Sequence, residues 1–378
     1  MEKKQWKDIL HIVSGKNQSA VVNPNGKYPI YGSGGLMGYA DDYLCEAGTT
    51  IVGRKGTINR PIFVNEPFWN IDTAFGIVPN EGLCHKYLYY FCVHFNFMPL
   101  DKSTGRPSLA KSDLLKIEMP VPSLSEQQRI VSRIEELFSS LDNAVETLQK
   151  TKEQLAVYRQ AVLKEAFEGK YTPDVSMIEI AMDEITDGKE GLRRGPFGSA
   201  IKKAFFVESG YKVYEQGNAI NDDCKRGHYY ISEEKYNELS SFQLRPGDFI
   251  VSCSGTIGKI AQLPANAEAG VINQALMRIR LKPEMIDPYY FMLQFRSEGF
   301  QRKIVSRGSG MGNLAGIKEF KMATMFVPEN REKQEYIVAE IESRMSVCDS
   351  IEQTVNTALL QAEAMRQSIL KEAFEGRL

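Results

Sequence analysis

Two clusters in this 378-residue chain carry residue types that could do chemistry on nucleic acid. Asp222, Asp223 and Glu233, followed by Lys235, approximate the carboxylate and lysine set with which metal-dependent nucleases bind magnesium and activate water. Ser232 followed by acidic residues is also typical of a helix N-cap. We interpret this run as a helix start. A self-sufficient DNA nuclease or modification enzyme that uses the three carboxylates remains the alternative function.

The second cluster, Asp287-Pro-Tyr-Tyr290, resembles the Asp-Pro-Pro-Tyr motif with which amino-methyltransferases hold a flipped base, but its third residue differs. Asp as N-cap and Pro at the first helical position instead predict a helix start. Ser254 to Lys259 approximates a phosphate loop, but Ile260 stands where a magnesium-binding Ser or Thr would follow. We therefore predict no catalytic residue, no metal site and no cofactor of the chain's own.

The elements that must position functional residues occur twice. Segment 126–169 aligns with 333–376, and both copies end in Leu-Lys-Glu-Ala-Phe-Glu-Gly. Alternating steps of four and three between seam residues predict two long coiled-coil helices. The predicted seams are Ile130, Ile134, Leu137, Leu141, Ala144, Leu148, Thr151, Leu155, Tyr158 and Val162 in the first copy, and Ile337, Ile341, Arg344, Cys348, Ile351, Val355, Ala358, Ala362, Met365 and Ile369 in the second.

The segments ahead of the two helices also correspond. Residues 48–58 match 247–257, and 71–74 match 272–275. Short β-branched and aromatic runs between Gly, Pro and Asn predict strands, and two apolar runs predict short helices. The predicted strands are 50–53, 75–78, 249–252 and 276–281, and the predicted helices are 86–95 and 288–295.

Chain reach indicates how the two long helices run. Each would span roughly 66 Å at 1.5 Å per residue. The linker 170–181 reaches at most about 40 Å, too short to carry the chain back for a parallel pair. We predict an α+β protein with two α/β globular domains joined by two long antiparallel coiled-coil helices, forming a pseudo-two-fold internal repeat. The predicted boundaries are 1–122 for the first domain, 123–169 for the first helix, 170–328 for the second domain and 329–378 for the second helix.

Composition excludes several classes of protein. The net charge is −2, and 43% of residues are hydrophobic, enough for buried cores. No apolar run has the length of a membrane span, and the start lacks the apolar stretch of a signal peptide, so we expect a cytoplasmic protein without membrane contact. Six cysteines and four histidines show no metal-ligand spacing, which argues against a zinc site or a disulfide framework.

Two related modules at a fixed distance suit duplex DNA, whose helical repeat of about 34 Å gives it a matching periodicity. Basic and polar residues cluster in the predicted loops, where cations and turn amides can hold phosphates and some side chains can read bases. The predicted DNA contacts are Tyr31, Ser33, Arg54, Lys55, Lys102, Ser103, Thr104, Arg106, Arg193, Arg194, Ser199, Lys202, Lys203, Lys225, Arg226, Ser254, Lys259, Arg302, Lys303 and Arg307.

A family resemblance adds to this interpretation. It rests on four motifs: Tyr28-Pro-Ile-Tyr-Gly-Ser-Gly-Gly35, Gly53-Arg-Lys-Gly-Thr-Ile58, Gly195-Pro-Phe-Gly-Ser199, and the Glu-Gln or Glu-Lys-Gln sequence at the start of each long helix. In their order, they resemble the specificity subunit of type I restriction-modification systems, over essentially the whole chain. The resemblance implies two target-recognition domains that read the two halves of an interrupted DNA site.

The same resemblance implies partners. The helices would set the gap between the half-sites and dock methyltransferase subunits, two of them, while restriction and translocase subunits join the larger complex. The chain itself would be non-catalytic and would bind no cofactor. S-adenosylmethionine, ATP and magnesium would be used by the partner subunits.

Overall fold

The computed structural model describes residues 2–197, 199–305, 314 and 316–378. The chain forms two compact units, one of Met1–Lys150 with Val355–Leu378 and the other of Thr151–Thr354. Each unit contains a sheet-rich module and a segment of each of the two long helices. Within the described ranges, no helix is long and apolar enough to cross a membrane.

The first unit has three sheets in its described part. A four-stranded antiparallel sheet has the order β2-β8-β5-β6, a three-stranded sheet has the order β4-β3-β7 with β3 parallel to β7, and β1 pairs with β9. The strands are β1 (Lys3–Gln5), β2 (Leu10–Ser14), β3 (Tyr28–Gly32), β4 (Gly35–Ala40), β5 (Thr49–Gly53), β6 (Ile62–Val64), β7 (Trp69–Asn70), β8 (Ala74–Pro79) and β9 (Glu118–Pro120).

The helices of this module are α1 (Trp6–Ile9), α2 (His85–His94) and α3 (Lys111–Leu114), and the first long helix is α4 (Leu124–Phe167). Helix α2 packs against the four-stranded sheet and against both long helices. Its residues Tyr87 and Phe91 belong to the same buried cluster as Ile130 and Ile134 of α4 and Phe374 at the end of the second long helix. The ring of Phe374 lies 5.2 Å from that of Tyr87, centroid to centroid.

The second unit repeats this arrangement. A four-stranded antiparallel sheet has the order β11-β18-β15-β16, a second has the order β12-β14-β13-β17 with β13 parallel to β17, and β10 pairs with β19. The strands are β10 (Met177–Ala181), β11 (Leu192–Arg194), β12 (Phe206–Val207), β13 (Tyr211–Tyr214), β14 (Tyr230–Ile231), β15 (Phe249–Ser252), β16 (Ile260–Gln262), β17 (Gly270–Ile272), β18 (Leu276–Ile279) and β19 (Thr324–Pro328).

The helices of the second unit include the counterpart of α2, which packs Tyr290 and Phe291 into a core shared with Phe167 and Ile337. The helices are α5 (Met182–Ile185), α6 (Gly188–Gly191), α7 (Gln216–Ile220), α8 (Glu233–Glu238), α9 (Pro288–Arg296), α10 (Glu298–Ile304), α11 (Ile317–Met322) and the second long helix α12 (Arg331–Glu375). The fold class predicted from the sequence is confirmed. One feature differs, because residues 177–181 of the predicted linker form strand β10 and pair with β19.

The repeated Leu-Lys-Glu-Ala-Phe-Glu-Gly sequence ends both long helices in the same way. Gly169 and Gly376 have positive φ angles of 79° and 78°, which glycine adopts without steric cost. The amide N–H groups of the following residues, Lys170 and Arg377, donate to the carbonyls of Glu165 and Glu372 at 3.0 and 2.9 Å. This is the Schellman arrangement that satisfies the last helical carbonyls.

The entries to the long helices are equivalent as well. Gln127 is fully buried, donates to the carbonyls of Gly82 and Pro122, and accepts from the Cys84 N–H at 2.8 Å. Gln334 is 1% exposed, donates to the Met285 carbonyl, and accepts from the Asp287 N–H at 2.7 Å. Each glutamine therefore joins the start of a long helix to the start of the module helix beneath it.

Within each unit the segments of α4 and α12 run antiparallel. In the first unit Arg366 pairs with Asp142 while Arg129 donates to the Leu378 carbonyl. In the second unit Arg159 pairs with Asp349 and Glu352 at 2.6 and 2.7 Å. In the first unit Leu378, just after α12, lies beside Arg129, and the earlier residue Arg366 lies beside the later residue Asp142, as antiparallel helices require.

The predicted seam is wrong at four positions. Ala144, Tyr158, Ile351 and Met365 are exposed, whereas the seam positions Ile134, Leu155, Cys348, Val355 and Ala362 are buried. An α-helix with 3.6 residues per turn drifts by about 20° per heptad from a strict seam. The adjacent residues Arg159, Glu352 and Arg366 consequently turn toward the partner helix and form the ion pairs between the helices.

Candidate nucleic-acid interface

Four loops of the first module converge around residues 53–56. Ser33, in the turn between β3 and β4, is 6% exposed, and its hydroxyl donates to the Lys55 carbonyl at 2.7 Å. The amide N–H groups of Arg54 and Lys55 donate to the Thr73 carbonyl at 2.8 and 3.1 Å. The structure therefore brings Ser33, Arg54 and Lys55 together.

The loop 101–109 closes the same cluster. The Leu109 N–H donates to the Arg54 carbonyl, and the Gly56 N–H donates to the Pro107 carbonyl, both at 2.8 Å. Gly56 has a φ angle of 85°, and the Arg106 guanidinium lies so close that a Cβ at Gly56 would be 2.7 Å from its Nη2. The exposed side chains of Lys55 and Arg106 thus project from adjoining loops.

Asp101 organises the turn that carries Lys102, Ser103 and Thr104. Its carboxylate accepts from the backbone N–H groups of Ser103 and Ser108 at 2.9 and 3.0 Å. These two bonds, first that from Ser103, lower the pKa of Asp101 because they stabilise the ionised form. Lys102 pairs with Asp113 at 2.7 Å. The Lys102 side chain is exposed, so this ion pair restrains it only weakly.

The second module holds its loops with the same kind of backbone hydrogen bonds, a shared loop frame, but presents different side chains. The Cys253 N–H donates to the Ala275 carbonyl at 2.9 Å, and the Leu314 N–H donates to the Cys253 carbonyl at 3.3 Å. These bonds correspond to those that Arg54 makes in the first module. Ser254 and Lys259 are exposed in this loop, so Cys253 and Ser254 stand where the first module has Arg54 and Lys55.

Sequence reasoning missed Gln216, at the start of α7. Its amide Nε2 donates to the Ser254 carbonyl at 2.6 Å, and the Ser254 hydroxyl donates to its Oε1 at 3.2 Å. Lys225 and Arg226 follow α7, and Asn218 holds the Arg226 carbonyl through a bond of 2.7 Å. A single uncharged Gln carries no compositional signal, and only the fold brings it to the Ser254 loop.

Tyr31 is half-buried on β3, and the remaining predicted residues lie in three other places. Arg193 and Arg194 are half-buried on β11, while Ser199, Lys202 and Lys203 are exposed in the chain that follows it. Arg302 pairs with Glu298, and Lys303 donates to the Thr324 carbonyl at 3.0 Å, so the structure places both on α10 and not in the loop cluster. Arg307 lies outside the described residues.

Buried cations hold the second module in shape. Arg278 is 1% exposed and donates to the carbonyls of Gln243 and Glu190, both at 2.7 Å. Burial is the main cause that lowers its pKa. Lys212, also 1% exposed, donates to Glu268 at 2.8 Å and to the Lys225 carbonyl at 2.9 Å. The Lys212 bond fixes the backbone of the loop that presents Lys225.

The carboxylates of the alternative nuclease hypothesis do not form a metal site. Asp222 pairs with Arg296 at 2.7 Å, and Asp223 accepts from the Lys225 N–H at 2.9 Å. Ser232 caps α8, as predicted, by accepting from the Lys235 N–H. Across the described residues, no group of three or more His, Cys, Asp or Glu side chains could hold a metal ion.

The Asp287-Pro stretch begins helix α9. Asp287 is the N-cap and accepts from the N–H groups of Tyr289 and Tyr290 at 2.9 Å, with Pro288 at the first helical position. The Tyr290 hydroxyl donates to the Phe326 carbonyl at 2.7 Å inside the core. The predicted helix start is confirmed, and the tyrosine is engaged in packing.

The chain is similar in sequence to known proteins of one family. Residues 1–156 match the family described as the type I restriction modification DNA specificity domain. The specificity subunit of the type I restriction enzyme EcoBI of Escherichia coli is 24% identical over 87% of this chain and 73% of its own length. The specificity subunit of EcoKI, from Escherichia coli strain K12, is 27% identical over 71% of this chain and 59% of its own length.

A solved structure shows the same fold. One chain from "Structural basis underlying complex assembly and conformational transition of the type I R-M system" superposes with a TM-score of 0.71 and 15% identity, covering 100% of this chain and 98% of that one. Both modules of this chain present equivalent loops from corresponding sheets. The chain is similar to the specificity subunits of type I restriction-modification systems over most of its length, and this similarity supports a role in DNA specificity.

Proposed function

We propose that this chain reads a bipartite, interrupted DNA site, with one half-site for each module. The observation that carries the proposal is the shared loop frame with unlike side chains: Arg54 and Lys55 in the first module, Cys253 and Ser254 in the second. Phosphate contacts position a protein on DNA, whereas side chains at base edges specify the sequence. Equivalent frames with different side chains suit two different half-sites.

The long helices act as the spacer and as a docking surface for methyltransferase subunits, two in the full assembly. Their exposed apolar side chains support this part of the proposal. Val157 is 71% exposed and Val347 58% exposed on the helical segments of the second unit, and Leu360 is 75% exposed in the first. Exposed apolar groups on one element are typical of a partner surface.

The chain is non-catalytic in this proposal and acts on DNA in the cytoplasm. Restriction and translocase subunits join the larger complex. The chain contributes no cofactor of its own: the methyltransferase subunits use S-adenosylmethionine, and the restriction subunits use ATP and magnesium.

The test is selection from a randomised duplex pool by the tagged chain purified with its partner subunits. We expect enrichment of two unlike half-sites at one fixed gap, with methyltransferase in the same eluate. A single continuous motif, or no motif, would contradict the bipartite reading.

The docking surface is tested separately by the double variant Val157→Glu and Val347→Glu. Both side chains are exposed, so the chain should fold while methyltransferase no longer copurifies. Gln154→Glu with Ser343→Glu, at exposed polar positions of the same helical segments, serves as the matched control. Normal copurification of the valine double variant would exclude this surface.

A further inference from the structure

Phe197 is the most exposed large apolar side chain in the described part of the molecule, with 91% of its surface accessible. It follows β11 in the Gly195-Pro196-Phe197 stretch, and Pro196 beside it is buried. Isolated apolar side chains are common on protein surfaces, so exposure alone assigns no role. The role of Phe197 is inferred from the backbone contacts that hold its loop and from the groups that surround its ring.

The loop that carries Phe197 is fixed to the sheet. The Gly195 N–H donates to the Leu276 carbonyl at 2.8 Å, and the Ala200 N–H donates to the Phe197 carbonyl at 2.8 Å. Gly195 packs so closely that a Cβ there would lie 1.8 Å from the Asn273 carbonyl oxygen. The ring is therefore held outward by an anchored turn.

The surroundings of the ring are cationic and aromatic. Phe197 lines a cleft of about 600 Å³ together with Arg193, Arg194, Phe242 and Gln274. The Arg193 guanidinium lies 5.4 Å from the Phe242 ring centroid, and Lys202 and Lys203 are exposed in the following turn. Cations beside an apolar ring match a polyanion that also offers apolar base surfaces, as DNA does.

The first module has the same loop with a polar residue at this position. Gly15 follows β2 as Gly195 follows β11: its N–H donates to the Ala74 carbonyl at 3.2 Å, and a Cβ there would lie 1.8 Å from the Ile71 carbonyl oxygen. Asn17 occupies the place of Phe197, and its Oδ1 accepts from the Ser19 N–H at 2.7 Å. The two modules thus present an amide and a phenyl ring from equivalent turns.

We propose that the Phe197 ring contacts bases of the second module's half-site and helps to determine which bases that module accepts. The inference rests on the proposed function. The ring can meet either the methyl group of thymine or the faces of neighbouring bases, and both contacts favour certain bases without a hydrogen bond. Asn17 gives the first module a hydrogen-bonding group at the same place.

The experiment compares Phe197→Ala, Phe197→Tyr and wild type, each as the complex with its partner subunits, in randomised-pool selection and in titration of the selected duplex. We expect Phe197→Ala to weaken binding about ten-fold, the usual size of a lost aromatic–base contact. It should also lose base preference in one half-site only. Phe197→Tyr keeps the ring and should retain the preference, and Met322→Ala, which removes a side chain that is 77% exposed in the same unit, should have no effect.

Two modified duplexes separate the kinds of contact. If replacing thymine by deoxyuracil weakens wild type but not Phe197→Ala, the ring meets a thymine methyl group. If 2-aminopurine in the half-site brightens with wild type alone, the ring disturbs base stacking.

Wild-type affinity and base preference in Phe197→Ala would overturn the inference while leaving the proposed function standing. Loss of partner copurification in that variant would also overturn it, because the ring would then contact protein. A wild-type complex that enriches no two-part site would contradict the proposed function itself, and the inference with it.

Discussion

The Ser33 hydroxyl donates a hydrogen bond of 2.7 Å to the Lys55 carbonyl, joining a hairpin turn of the three-stranded sheet to the loop that leaves the four-stranded sheet. Ser33 is buried while the Lys55 side chain is exposed. The bond therefore fixes the backbone of the loop that presents Lys55, a candidate DNA contact.

Ser33→Ala should loosen this junction. Loss of one buried hydrogen bond costs about 1 kcal/mol of unfolding free energy, and the freed loop should broaden base preference in the first module's half-site alone. Urea unfolding and pool selection measure the two effects. Ser139→Ala, at an exposed position on α4, should change neither. An unaltered selection profile in Ser33→Ala would mean that the Lys55 loop does not contribute to sequence reading.

Gln127 should be far more sensitive to substitution than its neighbour. It makes three hydrogen bonds while fully buried, so Gln127→Ala leaves buried backbone groups without partners and should cost about 2 kcal/mol of unfolding free energy. Gln128→Ala, at the next and exposed position, should stay within about 0.5 kcal/mol. Equal urea midpoints for the two variants would contradict the role of Gln127 as a clamp.

Several helices and strands could be predicted from the sequence because the interactions that determine them are local. The strand β15 (Phe249–Ser252) was predicted with the observed bounds, since a short apolar run between turn residues leaves few alternatives. The start of α9 followed from Asp287 and Pro288, whose N-cap and first-turn preferences act within one helical turn. The duplicated sequence also made the paired modules visible.

The side chains that shape the second module could not be predicted, because their partners are distant in sequence. Arg278 meets Glu190 across 88 positions, and Lys212 meets Glu268 across 56. Both lie on strands, where a single basic residue in the sequence gives no sign of its partner. The prediction that Tyr158 lies in the seam is wrong for a different reason. A small angular drift over several helical turns decides whether Tyr158 or Arg159 faces α12.

The Asp248 carboxylate should be essential for the stability of the second module. Arg280 donates to its two oxygens, each at 2.7 Å, and the Asp248 side chain is 2% exposed. Asp248→Asn leaves the nearly buried guanidinium with only the more distant carboxylate of Glu190, at 3.8 Å, which should cost about 3 kcal/mol. Asp349→Asn removes a carboxylate that is 73% exposed from its ion pair with Arg159, and it should cost less than about 1 kcal/mol. Chemical denaturation of the two variants compares the costs, and similar losses would show that burial of the Arg280 pair is unimportant.

Glu268 should give the second module a pH-dependent component of stability. The hydrogen bond from Lys212 is the main cause that lowers the pKa of Glu268, because it favours the ionised carboxylate, and Tyr230 adds to the effect. A carboxylate with a lowered folded-state pKa stabilises the fold above its ordinary pKa of about 4.3, and this contribution is lost as the pH falls through the folded value. Glu268→Gln should therefore be less stable than wild type at pH 7, and the difference should shrink as the pH falls from about 5 to 3. Urea midpoints across this range measure the difference, with Glu238→Gln, in an exposed ion pair, as the control for lost charge. A difference that stays constant with pH would show that the Lys212 bond does not depend on the ionised carboxylate.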